Sequence, residues 1–181
     1  MPPHMTAPKN AISHDVMTDS PAVIAYLGIG SNIGDSMLQV VRALREIDEL
    51  PGTRLLRCSS LYETDPVGFI DQPRFINAVA SVSTHLAPRA LLEGLLDIEQ
   101  RHGRMRMMKN GPRTLDLDIL LYGDRRIGDA GLTIPHPHLH ERAFVLEPLL
   151  EIAPDCEVPG LGRAQQFRAL VQGQGVKKIA P

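Results

Sequence analysis

Residues 75–84, FINAVASVST, form the segment around which the fold is predicted. Apolar and polar side chains alternate along it, with Ile76, Ala78, Ala80 and Val82 on one face and Asn77, Ser81 and Ser83 on the other. A period of two is that of a β-strand with one buried face. Residues 54–62 form another strand candidate before it, across a loop rich in proline, glycine and aspartate. The sequence therefore predicts two consecutive strands in the middle of the chain.

An apolar segment and a helical pattern precede these two strands. Residues 22–29 are apolar and β-permissive until the glycine-rich segment 28–34 interrupts them, which predicts a buried strand that runs into a tight turn. Ser36 and Gln39 have the spacing of a capping box, and apolar residues then recur at helical intervals as far as the Pro-Gly pair at 51–52. We therefore expect a helix that Ser36 caps.

A second helical pattern and a further strand follow. Pro88 stands where the first turn of a helix tolerates proline, and leucines at helical spacing continue to about Arg101. Residues 114–122, TLDLDILLY, form a strand candidate, and residues 142–152 form a short helical run. The order strand, helix, two strands, helix, strand is that of the ferredoxin-like β-α-β-β-α-β motif. We expect an α+β fold, with helices on one face of a mainly antiparallel sheet and C-terminal additions.

Composition limits the classes of partner. The chain has 181 residues, of which 43% are apolar and 22% charged, and this balance suits one globular domain. A net charge of -2 gives no reason to expect nucleic acid or an anionic membrane as partner. The longest apolar stretch, residues 22–29, is far shorter than the ~20 residues of a membrane span. Residues 1–20 lack a continuous apolar segment, so we expect a disordered tail and no signal peptide. Cys58 and Cys156 are too few for a disulfide framework, which favours the cytoplasm.

Two acidic residues interrupt the apolar strand 114–122. Asp116 and Asp118 are two positions apart, so both carboxylates project from the same face of the strand. Two carboxylates on one face repel each other unless a cation lies between them, and oxygen ligands of this kind suit Mg²⁺ that also binds substrate phosphates. The alternative is a solvated strand face with two unrelated acids.

A basic segment leads directly into this strand. Residues 101–113 contain no acid and carry the cationic side chains of Arg101, Arg104, Arg106, Lys109 and Arg113. Arginine offers a planar fork of donors for phosphate oxygens, and the segment returns to the strand just before the acid pair. A solvated loop is the alternative for the segment alone. Together, acid pair and basic segment predict a polyphosphate site, and the glycines at 103 and 111 would let the segment move as a lid.

Other site types fit the sequence less well. The glycines of segment 28–34 follow a strand, but their spacing and the elements after them do not match a dinucleotide-binding fingerprint. His136, His138 and His140 occupy alternate positions, with Pro135 and Pro137 among them, and lack a fourth ligand nearby, so one histidine facing phosphate is preferred to a zinc site. No Gly-x-Ser-x-Gly elbow is present for nucleophilic catalysis.

Several motifs occur together in a fixed order. They are Gly-Ser-Asn at 30–32, Ser-Ser-Leu-Tyr-Glu-Thr at 59–64, Asp-Gln-Pro at 71–73 with Phe75 and Asn77, Gly-Arg-x-Arg at 103–106, Gly-Pro-Arg-Thr-Leu-Asp-Leu-Asp-Ile at 111–119, and Pro-His at 135–136 with Arg142 and Phe144. Over roughly residues 22–154 the chain resembles the 6-hydroxymethyl-7,8-dihydropterin pyrophosphokinase family. The run at 111–119 is the most specific part of this resemblance.

The resemblance implies transfer of the β,γ-diphosphate of ATP to the hydroxymethyl group of the dihydropterin, with release of AMP, in folate biosynthesis. It implies a monomeric, cytoplasmic enzyme with one pyrophosphokinase domain, residues 21–181, and two Mg²⁺ ions held by Asp116 and Asp118. The implied catalytic residues are Arg104, Arg106, Asp116 and Asp118. The implied ATP contacts are Glu99, Arg104, Arg106, Arg113, Ile119, Thr133, His136 and Arg142. The implied pterin contacts are Thr64, Asp65, Val67, Phe75, Asn77 and Phe144, with Asn77 hydrogen-bonding the heterocycle and both phenylalanines stacking on it.

Two alternatives and some departures accompany this resemblance. A metal-dependent nucleotidyltransferase also combines Gly-Ser with an Asp-x-Asp strand, but there the two elements lie close in sequence. A non-catalytic nucleotide- or pterin-binding protein would not need the acid pair. Asp65 stands where proline is common, Gly131 replaces an arginine of some members, and Lys109-Asn110 replaces an Arg-Trp pair.

Overall fold

A computed structural model describes residues 21–103 and 111–179. Its elements are β1 (Val23–Ser31), α1 (Ser36–Asp48), β2 (Thr53–Cys58), β3 (Tyr62–Thr64), β4 (Phe75–Thr84), α2 (Pro88–Arg101), β5 (Asp116–Tyr122), β6 (Ile127–Asp129), β7 (Leu132–Ile134), α3 (Ala143–Ile152), β8 (Glu157–Val158), β9 (Gly162–Arg163) and β10 (Val176–Lys178). Short 3-10 helices lie at Leu139–Glu141 and Ala164–Val171. β4 and α2 have the predicted bounds, while β5 and α3 begin one or two residues later than predicted. The predicted tail, residues 1–20, lies outside the described residues.

The main sheet confirms the predicted α+β class. Its strands run in the order β10-β3-β4-β1-β5, and β2 also pairs with β4. Each of these pairings is antiparallel. β1 lies between β4 and β5 because the two crossovers through α1 and α2 return the chain to opposite sides of it. This arrangement puts β1 and β4 in the centre of the sheet, where neighbours on both sides satisfy their backbone groups.

The predicted single strand at 54–62 is wrong, because the chain forms two strands there. β2 and β3 pair with the same edge of β4, β2 near Ala80 and β3 near Asn77. Between them Ser59 keeps contact with β4 in a different way, since its N–H donates to Val79 O and its hydroxyl oxygen accepts from Val79 N at 3.0 Å. A side-chain oxygen replaces a backbone carbonyl at this point, which interrupts the regular ladder.

The strand predicted at 22–29 continues to Ser31, so the turn after it begins later than predicted. Gly28 and Gly30 pair with β4 on one side and with β5 on the other. Gly34, beyond the strand, has φ +71° and makes the turn into α1. Glycine inside a central strand marks a place where other groups approach the backbone closely.

The start of α1 differs from the capping box predicted for it. The N-cap is Asp35, whose Oδ1 accepts a hydrogen bond from Leu38 N at 3.1 Å, and Ser36 is the first helical residue. The Gln39 side chain does not return to the helix terminus because its Oε1 contacts His102 Nδ1 at 2.6 Å. Aspartate and serine are comparable caps, so sequence alone did not separate the two positions.

The two helices of the predicted motif cover one face of the sheet, as predicted, and the C-terminal additions cover part of the other face. α1 and α2 pack on one face, against a core that includes Leu27, Ile29 and Ala80. α3 and the C-terminal segment pack on the other face, around Val79 and Leu120. α3 covers only part of that face, and the uncovered part forms a cleft over β1 and β5. No helix in the described part of the chain has the length and apolarity to cross a membrane.

Glu151 of α3 joins this helix to the edge of the sheet. Its carboxylate accepts hydrogen bonds from the Tyr62 hydroxyl (2.7 Å), the Ser60 hydroxyl (2.8 Å) and amide (3.2 Å), and Lys178 Nζ (3.1 Å). Burial by itself raises the pKa of Glu151, but the donors outweigh burial and lower the pKa to about 2. A depressed carboxyl pKa contributes stability above the unfolded-state pKa, and that stability is lost as the pH falls through the folded-state value.

Glu151→Gln is therefore expected to lower the free energy of unfolding by about 1.5 to 3 kcal/mol at neutral pH, because several donors lose a charged acceptor. The difference from wild type should shrink as the pH falls from about 5 toward about 3. Urea unfolding followed by circular dichroism measures both effects. Glu157→Gln is the control, since the carboxylate of Glu157 is exposed and lies 4.0 Å from Arg163. A difference that stayed constant over this pH range would contradict the role assigned to the carboxylate.

Candidate active site

The register of the sheet brings polar residues from two strands onto one face. Gly30 of β1 lies opposite Asn77 of β4 and Asp116 of β5, and Gly28 lies opposite Asp118. Directly opposite residues on neighbouring strands point to the same face of a sheet. The two glycines therefore form a floor without side chains between an amide and a pair of carboxylates. The cleft above this floor has a volume of about 260 Å³.

One end of the cleft, the acidic end, is formed by Arg113, Asp116, Asp118, His136 and Arg142. Arg113 Nη1 donates a hydrogen bond to Asp116 Oδ2. The Asp118 side chain keeps 44% of its accessible surface, and its Oδ2 lies 4.0 Å from His136 Nε2. The pKa of Asp118 is raised because the cleft walls limit its solvation and Asp116 and Glu99 are negative, while Arg142 and Arg113 act in the opposite direction. The acidic end therefore favours a cation beside the carboxylates.

His136 presents a hydrogen-bond donor to this end. Its Nδ1 accepts a hydrogen bond from His138 N at 3.1 Å, which leaves the hydrogen of the neutral ring on Nε2, the atom nearest Asp118. Burial, and then the charges of Arg142 and His138, lower the pKa of His136 to about 4 despite the opposing effect of Asp116. The neutral ring is thus a donor at neutral pH.

The other end of the cleft, the aromatic end, is formed by Thr64, Phe75, Asn77 and Phe144. Asn77 Nδ2 donates to Thr64 Oγ1 at 2.6 Å, and Asn77 Oδ1 lies beside Gly30. Arg142 lies with its Cζ 5.5 Å from the centroid of the Phe144 ring, at the junction of the two ends. Two aromatic rings and an oriented amide suit a flat heterocycle that exchanges hydrogen bonds along one edge.

Known proteins similar to this chain identify its family. Residues 26–154 match the family described as 7,8-dihydro-6-hydroxymethylpterin-pyrophosphokinase (HPPK). A Pseudomonas aeruginosa protein named 2-amino-4-hydroxy-6-hydroxymethyldihydropteridine pyrophosphokinase is 44% identical over 154 residues, covering 85% of this chain and 95% of that protein. A Haemophilus influenzae protein of the same name is 47% identical over 137 residues, covering 76% and 86% respectively. The chain belongs to the HPPK family. The family predicted from the sequence motifs is confirmed.

Solved structures with the HPPK fold agree with this architecture. The wild-type HPPK-DHPS of Plasmodium falciparum with pterin and p-hydroxybenzoate superposes with a TM-score of 0.65 at 16% identity. The superposition covers 84% of this chain and 44% of that chain, so the chain spans less than half the length of the solved protein. At this identity the likeness concerns the fold alone, and it confirms the ferredoxin-like α+β prediction.

The cleft brings together most of the residues predicted for an HPPK site. The six residues predicted to contact the pterin all line it: Thr64, Asp65, Val67, Phe75, Asn77 and Phe144. Both predicted metal ligands line it too, as do three predicted ATP contacts, Arg113, His136 and Arg142. Arg104 and Arg106 lie outside the described residues. Because no ligand contact tests these assignments, they stay predictions.

Three predicted ATP contacts of the HPPK site do not line the cleft. Glu99 is 1% exposed, and its Oε1 accepts a hydrogen bond from Leu117 N at 2.7 Å, beneath the acid pair. The side chain of Ile119 packs in the core on the face of the sheet that α1 and α2 cover. Thr133 is exposed on β7. Direct contact of ATP with Ile119 would therefore use backbone atoms, and Glu99 would act from below the site.

Sequence reasoning missed the two glycines of the cleft floor. Gly28 and Gly30 were assigned to a tight turn because glycine often marks turns, yet both lie in a central strand. Their spacing of two residues was the available signal, since it puts both on one face of β1 and matches the spacing of Asp116 and Asp118 on the next strand.

Proposed function

We propose that the cleft binds ATP at its acidic end and the dihydropterin at its aromatic end. As a member of the HPPK family, the chain is an ATP-dependent diphosphotransferase that moves diphosphate from ATP to the hydroxymethyl group of 6-hydroxymethyl-7,8-dihydropterin, a step of folate biosynthesis. The register carries the proposal, because Asn77 and Asp116 flank the same glycine of β1. Two strand spacings separate them by about 10 Å on one face. A heterocycle held at Asn77 would extend its substituent toward the carboxylates.

At the aromatic end, we assign recognition of the heterocycle to Asn77 and the two phenylalanine rings. The donor bond to Thr64 leaves Asn77 Oδ1 directed at the cleft, where it would accept from an N–H of the ring. Phe75 and Phe144 would lie against the faces of the ring and exclude water from it. Asp65 and Val67 would close the same end from the loop at 65–74.

Gly30→Ala is expected to weaken dihydropterin binding about tenfold or more and to leave ATP binding within about twofold of wild type. A Cβ on Gly30 would lie 2.8 Å from Asn77 Oδ1, so the amide would have to move. Gly128→Ala is the control, since Gly128 also lies in a strand and a Cβ there meets nothing within 4 Å. Calorimetric titration with each substrate measures both affinities. If Gly30→Ala weakened both affinities equally, or weakened neither, the result would count against Asn77 as the heterocycle contact.

At the acidic end, we assign Asp116 and Asp118 as magnesium ligands. The donor set fits Mg²⁺, because two adjacent carboxylates in a confined cleft repel each other, and Mg²⁺ in proteins is usually held by one or two carboxylates with water and substrate phosphates completing its shell. Among residues 21–103 and 111–179 there is no group of three or more His, Cys, Asp or Glu placed to hold a metal ion. Bound Mg²⁺ would neutralise charge on the β- and γ-phosphate oxygens.

We expect two Mg²⁺ ions per chain when nucleotide is present. Titration with Mn²⁺ in the presence of a non-hydrolysable ATP analogue, followed by electron paramagnetic resonance of unbound Mn²⁺, counts them. Asp118→Asn should reduce the number bound, because the neutral amide is a weaker ligand for a hard cation. A stoichiometry of one in the wild type would contradict the two-ion proposal.

Phosphate oxygens would be held by cationic and neutral donors around the same end. Arg113 is placed beside Asp116, Arg142 lies beside Phe144, and His136 offers its Nε2 hydrogen. We propose that Arg104 and Arg106 add to this set. The donors would fix the β-phosphorus near the hydroxymethyl oxygen and stabilise charge during transfer, so catalysis would rest on positioning and electrostatics.

The test of this function is an assay of products. The chain, ATP, Mg²⁺ and the hydroxymethyl dihydropterin are incubated together, and nucleotides are separated by anion-exchange chromatography. AMP should form in proportion to the dihydropterin consumed and should not form when the dihydropterin or Mg²⁺ is omitted. Free pyrophosphate would support nucleotidyl transfer, and unchanged ATP would support a non-catalytic binding protein.

We further propose that residues 21–181 act as one catalytic domain, as a monomer in the cytoplasm. Cys58 and Cys156 are free thiols, as is usual in a reducing compartment. Light scattering coupled to size-exclusion chromatography tests the monomer, since a dimer would have twice the expected mass of 19.9 kDa.

A further inference from the structure

Asn32, the last residue of the Gly-Ser-Asn motif, has no role in the site described above. It follows the end of β1 and is 3% exposed. It lies between two segments that reach opposite ends of the cleft. One is the approach to β5 through Arg113, and the other is the 65–74 loop, which runs into Phe75.

Asn32 and Arg113 are joined by two hydrogen bonds. Asn32 N donates to Arg113 O at 3.0 Å, and Arg113 N donates to Asn32 Oδ1 at 2.8 Å. Both peptide groups of Arg113 are therefore held by one residue. The side chain of Arg113 leaves this fixed backbone toward Asp116. The position of the guanidinium at the acidic end thus depends on Asn32.

The other half of the Asn32 amide holds the 65–74 loop. Nδ2 donates to Gln72 Oε1 and to Pro73 O, each at 2.9 Å. Gln72 Nε2 in turn donates to Phe69 O at 2.6 Å, which extends the connection along the loop. Pro73 is two residues before Phe75, one wall of the aromatic end.

The partners fix the orientation of both amides. A backbone N–H can only donate, so the Asn32 atom facing Arg113 N must be oxygen, and a carbonyl can only accept, so the atom facing Pro73 must be nitrogen. The same reasoning orients Gln72 through Phe69 O. Each side-chain polar atom of Asn32 is satisfied, and removal of the amide would take a hydrogen-bond partner from both segments.

We propose that Asn32 is a positioning residue that couples the two substrate sites by tying Arg113 to the 65–74 loop. The proposal rests on the proposed function, since it needs ATP at the acidic end and the dihydropterin at the aromatic end. Order imposed at one end is transmitted through one amide to the other. Binding of one substrate then strengthens binding of the other by the same factor in both directions.

The test is a measurement of this coupling factor. The affinity for hydroxymethylpterin is measured by calorimetry with and without a saturating non-hydrolysable ATP analogue and Mg²⁺. For the wild type we expect the analogue to strengthen pterin binding at least about fivefold. For Asn32→Ala the factor should fall to within about twofold of one, and for Gln72→Leu, which keeps the contacts of Asn32 with Arg113 and Pro73, it should fall to an intermediate value.

Gln166→Leu is the matched control. In the wild type, Gln166 Nε2 donates to Leu161 O at 2.7 Å, and neither residue lines the cleft. We therefore expect Gln166→Leu to keep the wild-type coupling factor. A purely structural role for Asn32 would lower the melting temperature of Asn32→Ala and leave the coupling factor of the folded variant unchanged, which would overturn the proposal. If Asn32→Ala does not fold, Gln72→Leu serves as the test variant. A wild-type coupling factor in Gln72→Leu would then overturn the proposal.

Ligand binding and AMP formation distinguish failure of the proposed function from failure of the coupling. If the wild type binds neither ligand, or forms no AMP in the product assay, the assignment of the two ends is wrong. If it binds both ligands and forms AMP but shows a factor of about one, the function stands and the role of Asn32 is overturned.

Discussion

Alanine at Asp116 or at Asp118 is expected to lower kcat by about 10³-fold or more and to leave the fold intact. The two carboxylates project into the cleft from β5, and their loss removes the ligands proposed for Mg²⁺. Loss of a single preorganised electrostatic group at a transition state costs about 10² to 10³ in rate, and loss of a metal ligand should cost at least as much. Neither side chain belongs to the apolar core on either face of the sheet.

Steady-state release of AMP measures the effect, and thermal unfolding checks the fold. Asp129→Ala is the control, because Asp129 is an exposed strand aspartate at the end of β6 and does not line the cleft. It should keep wild-type kinetics. Turnover within about tenfold of wild type in both Asp116→Ala and Asp118→Ala would remove the basis for placing the metal on β5.

Arg113→Ala is expected to lower kcat/KM for ATP about 10²-fold to 10³-fold, the second largest effect. Arg113 is a cationic side chain of the acidic end and donates to Asp116. A guanidinium presents a planar pair of donors to phosphate oxygens, whereas lysine presents a point charge. Arg113→Lys should therefore recover only part of the loss, and the recovery should appear mainly in KM.

Arg168→Ala is the matched control for this substitution. Arg168 forms a two-pronged pair with Glu147, with N···O distances of 2.8 and 2.7 Å, and does not line the cleft. Its loss should not change kcat/KM. Wild-type kcat/KM in Arg113→Ala would show that the guanidinium does not contact phosphate during the reaction.

Sequence periodicity predicted the centre of the fold. β4 and α2 have the expected bounds because their apolar patterns are long and their ends carry clear signals, such as Pro88 at the first turn of the helix. Errors arose where a side chain substitutes for backbone or where glycine has a packing role. Ser59 splits a predicted strand with its hydroxyl, and Gly30 continues a strand where a turn was expected. The role of Ser59 has no period that a sequence pattern reveals, whereas the two-residue spacing of Gly28 and Gly30 was a signal that the interpretation did not use.

Some residues of the site could be predicted from the sequence, and others could not. Asp116 and Asp118 stand out because two charges at strand spacing in an apolar run need compensation. Phe75 and Phe144 have the pattern of core residues, so their assignment to the pterin depended on the family resemblance. Asn32 had no signal beyond its motif, because its role depends on contacts with residues about forty and eighty positions away in sequence. Such contacts become visible only when the fold brings the segments together.

The most direct test of the central claim follows the fate of all three phosphates of ATP. Phosphorus NMR of a reaction with wild-type chain, ATP, Mg²⁺ and hydroxymethyl dihydropterin records the products as they form. The β and γ resonances of ATP should disappear together and be replaced by those of a diphosphate ester of the dihydropterin, with AMP in equal amount. Resonances of ADP with a monophosphate ester, or of free pyrophosphate with a nucleotidyl ester, would contradict transfer of the diphosphate as one unit.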